Sequence, residues 1–299
     1  MRMSPADSHE NRMRGILWML ATMLCFITLD AIMKHLLEGY SLVLVTWARF
    51  FFATIIAVLV CGRSLGKLVK SVTPGKQAIR SLLLMSTTAV FNAGIRTTPL
   101  ATATTIMFLS PILVTLLSIP LLGEKVGLRR WAGIIVGFTG AVIVVEPWQS
   151  GFGGIGLGVL FLLIAALLNA NYQIVTRMVR DDDPLTSLLF TATAGAIVTS
   201  LIVPWFWSWP TAFDWLLLIG SGLAGAIGHL CLIRALRLAP ASVVAPFSYS
   251  SLIWATLFGF VIWGDWPNLW TWLGAALIIG SGLYIFHRER RHISVAVEA

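Results

Sequence analysis

The chain has 299 residues, 58% of them hydrophobic and 11% charged, with a mean hydropathy of +0.87 and a formal net charge of +8. Too few ionisable groups remain to coat a soluble globule of this size, which excludes a soluble enzyme or binding module and leaves an integral membrane protein. Its apolar runs are continuous, where the strands of a membrane β-barrel would alternate polar and apolar residues.

Crossing roughly 30 Å of hydrocarbon takes about 20 mainly apolar residues. Ten such stretches can be cut from the sequence, near 14–36, 41–62, 77–97, 99–122, 130–147, 154–178, 185–207, 213–235, 239–263 and 268–287. The expected fold is an all-α integral membrane bundle of ten transmembrane helices. The first stretch is too long for a cleavable signal peptide and is followed directly by further spans.

Charged side chains inside the hydrocarbon are costly, so each one needs a reason. In span one, Asp30 precedes Lys34 by one helical turn on the same face. Arg49 lies eight residues into span two, roughly 12 Å from its outer end at 1.5 Å per residue, and Asp30 lies at about 9 Å by the same measure. A buried Asp30–Arg49 pair is expected, for coupling or for structure, with Lys34 near the outer mouth. The competing arrangement pairs Asp30 with Lys34 and lets Arg49 snorkel.

Span three contributes Thr87, Thr88 and Asn92. Span four presents Thr102, Thr104, Thr105 and Ser110 before Pro111, and span nine presents Ser242, Pro246, Ser248, Tyr249, Ser250 and Ser251, with Trp254 beyond. A proline within a span frees a carbonyl and bends the helix, and nearby hydroxyls can satisfy what it leaves open. In span six, Asn169, Tyr172 and Gln173 share one face, with Asn171 turned away. Amides and a phenol suit a polar, uncharged or zwitterionic ligand; the competing reading is interhelical hydrogen bonding. Span eight carries His229, a packing group or a pH-sensitive one, followed by Arg234.

The joints hold little chemistry. Gly151-Phe152-Gly153-Gly154-Ile155-Gly156 resembles a phosphate loop but opens a span with no strand before it, so close helix packing is the better reading. Asp181-Asp182-Asp183 reads as a solvated loop capping span seven. Cys25, Cys61 and Cys231 show no ligand spacing and read as small core residues, so no metal or cofactor is expected.

The basic balance is not a nucleic-acid footprint. With the N-terminus inside, every Lys and Arg except Lys34, Arg49 and Arg96 falls on the inner side, Arg80 being counted in the second inner loop with Arg63, Lys67, Lys70 and Lys76. The positive-inside rule then places both termini in the cytoplasm.

The sequence also repeats itself at an offset of 141 residues. Arg96 falls on Arg237, Pro99 on Pro240, Ser110 on Ser251, Thr115 on Thr256, Gly123 on Gly264, Trp131 on Trp272 and Gly133 on Gly274, while Glu124 meets Asp265. A unit with an odd number of spans is inserted the second time upside down, which is how many carriers are built. Pro111 and Pro246 are not equivalent in this frame.

Five spans plus five, Pro99-Leu100-Ala101 and Pro240-Ala241-Ser242 opening spans four and nine, Gly123-Glu124 and Gly264-Asp265 at their ends, and Trp131 and Trp272 opening spans five and ten resemble the EamA branch of the drug/metabolite transporter superfamily. The resemblance covers residues 14–287. It implies two repeats, 14–147 and 148–287, between cytoplasmic tails 1–13 and 288–299. It also implies a cavity among spans one, three, four, six, eight and nine, with spans two, five, seven and ten as outer support. Candidate substrate-binding residues are Asn92, Thr105, Ser110, Asn169, Tyr172, Gln173, His229, Ser248, Tyr249 and Trp254.

The expected function is secondary active transport of a small polar metabolite across the inner membrane by alternating access. Uptake of a vitamin such as riboflavin, or of S-adenosylmethionine, stands ahead of export of amino acids or a metallophore. An intramembrane transferase is the rival from another class, and it would need acidic metal ligands on two helices. Expected partners are the substrate, the bilayer and, as a coupling ion, protons, with no nucleic acid; the carrier is a monomer or a homodimer.

Overall fold

Inside lipid every backbone N–H and C=O has to be satisfied within the protein, and this chain does so with helices. A computed structural model describes residues 9–68, 70–122, 128–146, 156–179 and 181–298. In chain order its α-helices are α1 (His9–Gly39), α2 (Leu42–Cys61), α3 (Leu65–Leu68), α4 (Pro74–Ile95), α5 (Leu100–Met107), α6 (Ser110–Leu122), α7 (Leu128–Val145), α8 (Leu157–Met178), α9 (Pro184–Ile202), α10 (Ala212–Leu238), α11 (Ala241–Val244), α12 (Ser251–Phe258) and α13 (Leu269–Glu298). Glu124, Arg180 and the run from Gly151 to Ile155 lie outside the described residues.

Eight helical stretches among the described residues are long and apolar enough to cross a membrane, and two shorter apolar helices, Trp131–Val145 and Leu269–Ile285, accompany them. The chain is a multi-pass membrane protein. Its large exposed side chains, Leu59, Ile135, Leu201, Leu216 and Ile253 among them, are apolar, as a lipid-facing surface requires.

Helix starts follow local chemistry. Ser41 caps α2 by accepting from the Leu44 N–H, and Asp183 caps α9 by accepting from the Leu185 N–H; each satisfies one of the amides a first turn leaves open. Pro74 and Pro184 occupy first turns, where the missing N–H costs nothing.

The helices pack in pairs. α1 lies along α10, α4 along α8, α2 against both α9 and α10, and α7 along α13. Trp47 on α2 donates through Nε1 to Ser200 Oγ on α9 at 2.9 Å. α7 and α13 cross backbone to backbone: a Cβ built on Gly140 would meet the Gly274 carbonyl at 2.9 Å, and one built on Gly274 would meet the Gly140 carbonyl at 2.6 Å. Only glycine permits that approach.

The fourth and ninth spans are broken, as their prolines led us to expect. α5 stops at Met107 and α6 restarts at Ser110, while the ninth span runs as α11, a 3₁₀ segment Ala245–Ser250, α12 and a π-turn Gly259–Trp263. Pro111 and Pro246 each sit in a first turn just after a change of helix type. Although the prolines are not equivalent, the breaks are: the repeat offset lays Phe108 and Leu109 on Tyr249 and Ser250. Phe108 and Tyr249 touch, ring centroids 5.0 Å apart.

Candidate functional site

Two clefts open among the helices. One, of about 30 Å³, is walled by Arg49 and Phe50 from α2, Arg80 from α4, Tyr172 from α8, Thr191 from α9 and His229 from α10. The second, of about 570 Å³, lies beside Thr98, Glu146, Gly156, Trp266 and Asn268, at the ends of several helices. The first gathers ionisable groups and is the candidate site.

Arg80 is a correction to the sequence reading. The charge pattern groups it with the loop cations, but it lies in the second turn of α4, buried. Its guanidinium donates from Nε to Thr176 Oγ1 at 3.0 Å, from Nη1 to the Ser187 carbonyl at 3.0 Å and to Thr191 Oγ1 at 2.7 Å, and from Nη2 to the Tyr172 hydroxyl at 2.8 Å. It also lies over the Tyr172 ring, 4.9 Å from the centroid. The third apolar stretch, 77–97, already contains Arg80, and Pro74, which begins the helix, sets it deeper still.

Arg49 behaves differently. It borders the cleft within sight of Asp30, and the two interact across space, yet no direct ion pair joins them among the described residues. The expected contact pair is therefore an open one. Lys34 does not pair with Asp30 either. It is buried, donates to the Thr98 carbonyl at 2.8 Å, stands 3.7 Å from Asp265 Oδ2 and lies 5.1 Å from the Trp263 ring centroid.

Gly264 makes that last contact possible. Its φ of +73° turns the chain at the end of the π-turn, where Gly264 N–H bonds the Phe260 carbonyl and Asp265 N–H bonds the Gly259 carbonyl, both at 3.0 Å.

His229 lines the cleft, with Nδ1 2.9 Å from the Gly225 carbonyl and its ring against the edge of Phe26. A carbonyl only accepts, so Nδ1 carries the proton and Nε2 is the acceptor of the neutral ring. Tyr172 joins it through Arg80.

The remaining expected residues sit elsewhere. Asn92 is buried and donates through Nδ2 to Thr46 Oγ1 at 3.1 Å. Thr105 bonds the Ala101 carbonyl of its own helix, Ser248 the Ala245 carbonyl, and Ser110 reaches across to the Ala166 carbonyl. Trp254 packs with Ile27, Ala31 and Leu100. Asn169 and Gln173 are partly buried but do not border the cleft. Tyr249 meets Phe108. The cleft draws on the second and seventh spans, assigned above to outer support, because α2 packs between α9 and α10 and brings Arg49 inward.

Two matched fasteners lie at helix starts. Asp182 accepts from Ser71 Oγ at 2.6 Å, from the Val72 N–H at 2.7 Å and from Gln77 Nε2 at 2.9 Å, tying the α8–α9 joint to the start of α4. The Tyr40 hydroxyl donates to Asp214 Oδ2 at 2.6 Å, tying the α1–α2 joint to the start of α10.

Comparison with known proteins bears on both halves. The model of the EamA-like transporter family matches residues 13–146 and again 156–286. The S-adenosylmethionine uptake transporter of Rickettsia prowazekii (strain Madrid E) is 27% identical over 292 residues, covering 96% of this chain and 97% of its own. The riboflavin transporter of Vibrio cholerae serotype O1 is 28% identical over 285 residues, covering 93% and 95%, and that of Rhizobium johnstonii is 29% identical over 284 residues, covering 93% and 92%. A crystal structure superposes with a TM-score of 0.60 at 21% identity, covering 93% of this chain and 98% of the other, which bears on the fold.

Proposed function

The chain belongs to the EamA-like transporter family and is a transporter of small metabolites, and from that premise we propose a secondary carrier of ten spans in two inverted five-helix repeats, 14–147 and 148–287. The two broken helices at repeat-equivalent positions, meeting through Phe108 and Tyr249, are the observation that carries this reading. Helix pairing supports it. Exchanging each span for its counterpart turns the α1–α10 contact into the α8–α4 contact and leaves α2–α9 and α7–α13 unchanged.

In this reading α7 and α13 complete the ten spans, the protein sits in the inner membrane as a monomer or homodimer, and both termini face the cytoplasm in accord with the positive-inside distribution. The halves rock about the central region, driven by the proton gradient or by exchange, with Asp30 as the coupling candidate. The substrate is a small polar metabolite taken up from outside, S-adenosylmethionine ahead of riboflavin, because relatives bearing both names span almost the whole chain.

Purified protein in proteoliposomes, given radiolabelled S-adenosylmethionine and riboflavin with and without an imposed pH gradient, tests this. Saturable uptake of either compound is expected. No saturable flux of these or other small polar metabolites in either direction would falsify the carrier reading.

A further inference from the structure

The cleft holds two guanidinium groups bonded in opposite ways. Arg80 is committed: four hydrogen bonds and a ring face fix it, and every group it touches is neutral. Arg49 makes no hydrogen bond or ion pair with the described residues, its close neighbour being the ring of Phe50 at 5.6 Å. Asp30 acts on it only across space. Arg49 is half-buried at the cleft wall, and a cation partly withdrawn from water is normally paired. The planar guanidinium fork is shaped for one partner above others, a carboxylate held by two parallel hydrogen bonds.

Around that fork the cleft is equally selective. Phe50, Ala53, Leu84 and Leu188 give apolar walls, His229 Nε2 is an acceptor, and the Tyr172 oxygen that accepts from Arg80 still has its own hydrogen to donate. Two positive charges thus face a space bordered by no carboxylate, since Asp30 is not among the lining groups.

We propose that Arg49 is the receptor for an anionic group of the ligand, that the cleft takes the carboxylate end of a small organic acid or zwitterion, and that Arg80 is the fixed charge which keeps that place attractive. His229 accepts a hydrogen bond from a donor on the same ligand, so a carboxylate next to an amino group fits best. This rests on the carrier reading above, but it concerns binding and can be tested without flux.

The test is equilibrium binding to the full chain in detergent, followed by calorimetry, with four probes. S-adenosylmethionine carries carboxylate and ammonium, its decarboxylated form only the ammonium, 5′-methylthioadenosine neither, and adenosine 5′-monophosphate a phosphate instead. The parent is expected to bind best, with loss of the carboxylate weakening it roughly 10- to 100-fold, as removal of a charge-assisted hydrogen-bonded group does. Arg49→Gln is expected to erase that preference. Arg49→Lys keeps the charge without the fork, and is expected to retain part of it, so the ratio remains readable should the glutamine variant fold poorly.

Equal binding of the parent and its decarboxylated form overturns the proposal, as does an equal loss for all probes in both variants, or no binding of any probe. Tighter, Arg49-dependent binding of the phosphate overturns the assignment to a carboxylate. Saturable flux of uncharged riboflavin without any carboxylate preference removes this subsite and leaves the carrier standing; carboxylate-dependent binding without flux does the reverse.

Discussion

Phe108 packs edge-on against Tyr249, ring centroids 5.0 Å apart and ring planes at 77°, and the offset that superposes the two halves of the sequence places one residue on the other. Each ring stands at the point where its own helix is interrupted. The contact therefore joins the two interruptions, and an edge-to-face pair contributes about 0.5–1.5 kcal/mol beyond the area it buries. In a double-mutant cycle of Phe108→Ala and Tyr249→Ala, followed by thermal unfolding in detergent, a coupling of about 1 kcal/mol is expected. Strict additivity would remove the contact from the stability of the breaks.

Lys34 and Asp265 tie the first span to the joint after the ninth. Asp265→Asn leaves Lys34 buried with the Thr98 carbonyl as its hydrogen-bond acceptor, and a loss of about 1–3 kcal/mol is expected. Lys34→Met removes the charge that needed the partner, so the double variant is expected to be less destabilised than the two single losses together. Melting temperatures of the three variants decide it; a double loss equal to the sum shows that the two groups do not interact.

Arg80 holds the third span to the sixth and seventh. Its acceptors have other partners: Thr176 Oγ1 bonds the Tyr172 carbonyl and Thr191 Oγ1 the Ser187 carbonyl. Arg80→Gln is therefore expected to cost about 1–3 kcal/mol rather than to prevent folding, and Arg80→Lys to recover little of it, since a single ammonium cannot reproduce the fork. Full recovery in the lysine variant would show that charge alone is what matters there.

Asp182 gives the joint between α8 and α9 a pH dependence. Burial pushes its carboxyl upward, but the hydrogen bonds from Ser71, Gln77 and the Val72 N–H outweigh it and hold the group below the usual carboxylate range. A lowered value means that the carboxylate stabilises the fold fully above the unfolded value of about 4 and that this contribution fades as pH falls through the folded one. Comparing the melting temperature of the parent with Asp182→Asn from pH 7 downward, the gap is expected to be constant near neutrality and to narrow only in the acid range. A gap that widens on acidification reverses the sign and sinks this account.

Much of the architecture was written in hydropathy and in the repeat. Apolar run length marks spans because lipid offers the backbone no alternative partner, and Pro111 and Pro246 marked the two helices that break. The site was less visible. Arg80 reads as a loop cation in a one-dimensional count, since nothing in the sequence says that Thr176, Ser187 and Thr191, about a hundred residues away, form its socket. Thr105, Ser110 and Ser248 fit a polar lining equally well by composition, but a hydroxyl in a span can spend itself on a helix carbonyl, Thr105 and Ser248 on their own segment and Ser110 on the neighbouring α8. Arg49 and His229, which border the cleft, stand out in the sequence because a charge or an imidazole inside a span needs a reason.

The 3₁₀ segment Ala245–Ser250 has a geometric consequence for the pair of broken helices. Such a helix rises about 2.0 Å and turns about 120° per residue, against about 1.5 Å and 100° in an α-helix. Over its six residues the ninth span gains roughly 3 Å of height and about a third of a revolution on a continuous α-helix. In the first half the equivalent residues stay α-helical as far as Met107 and only then tighten, Phe108 N–H reaching the Thr105 carbonyl and Leu109 N–H the Ile106 carbonyl, so the stretches leading to Ser110 and Ser251 face different ways although the letters match.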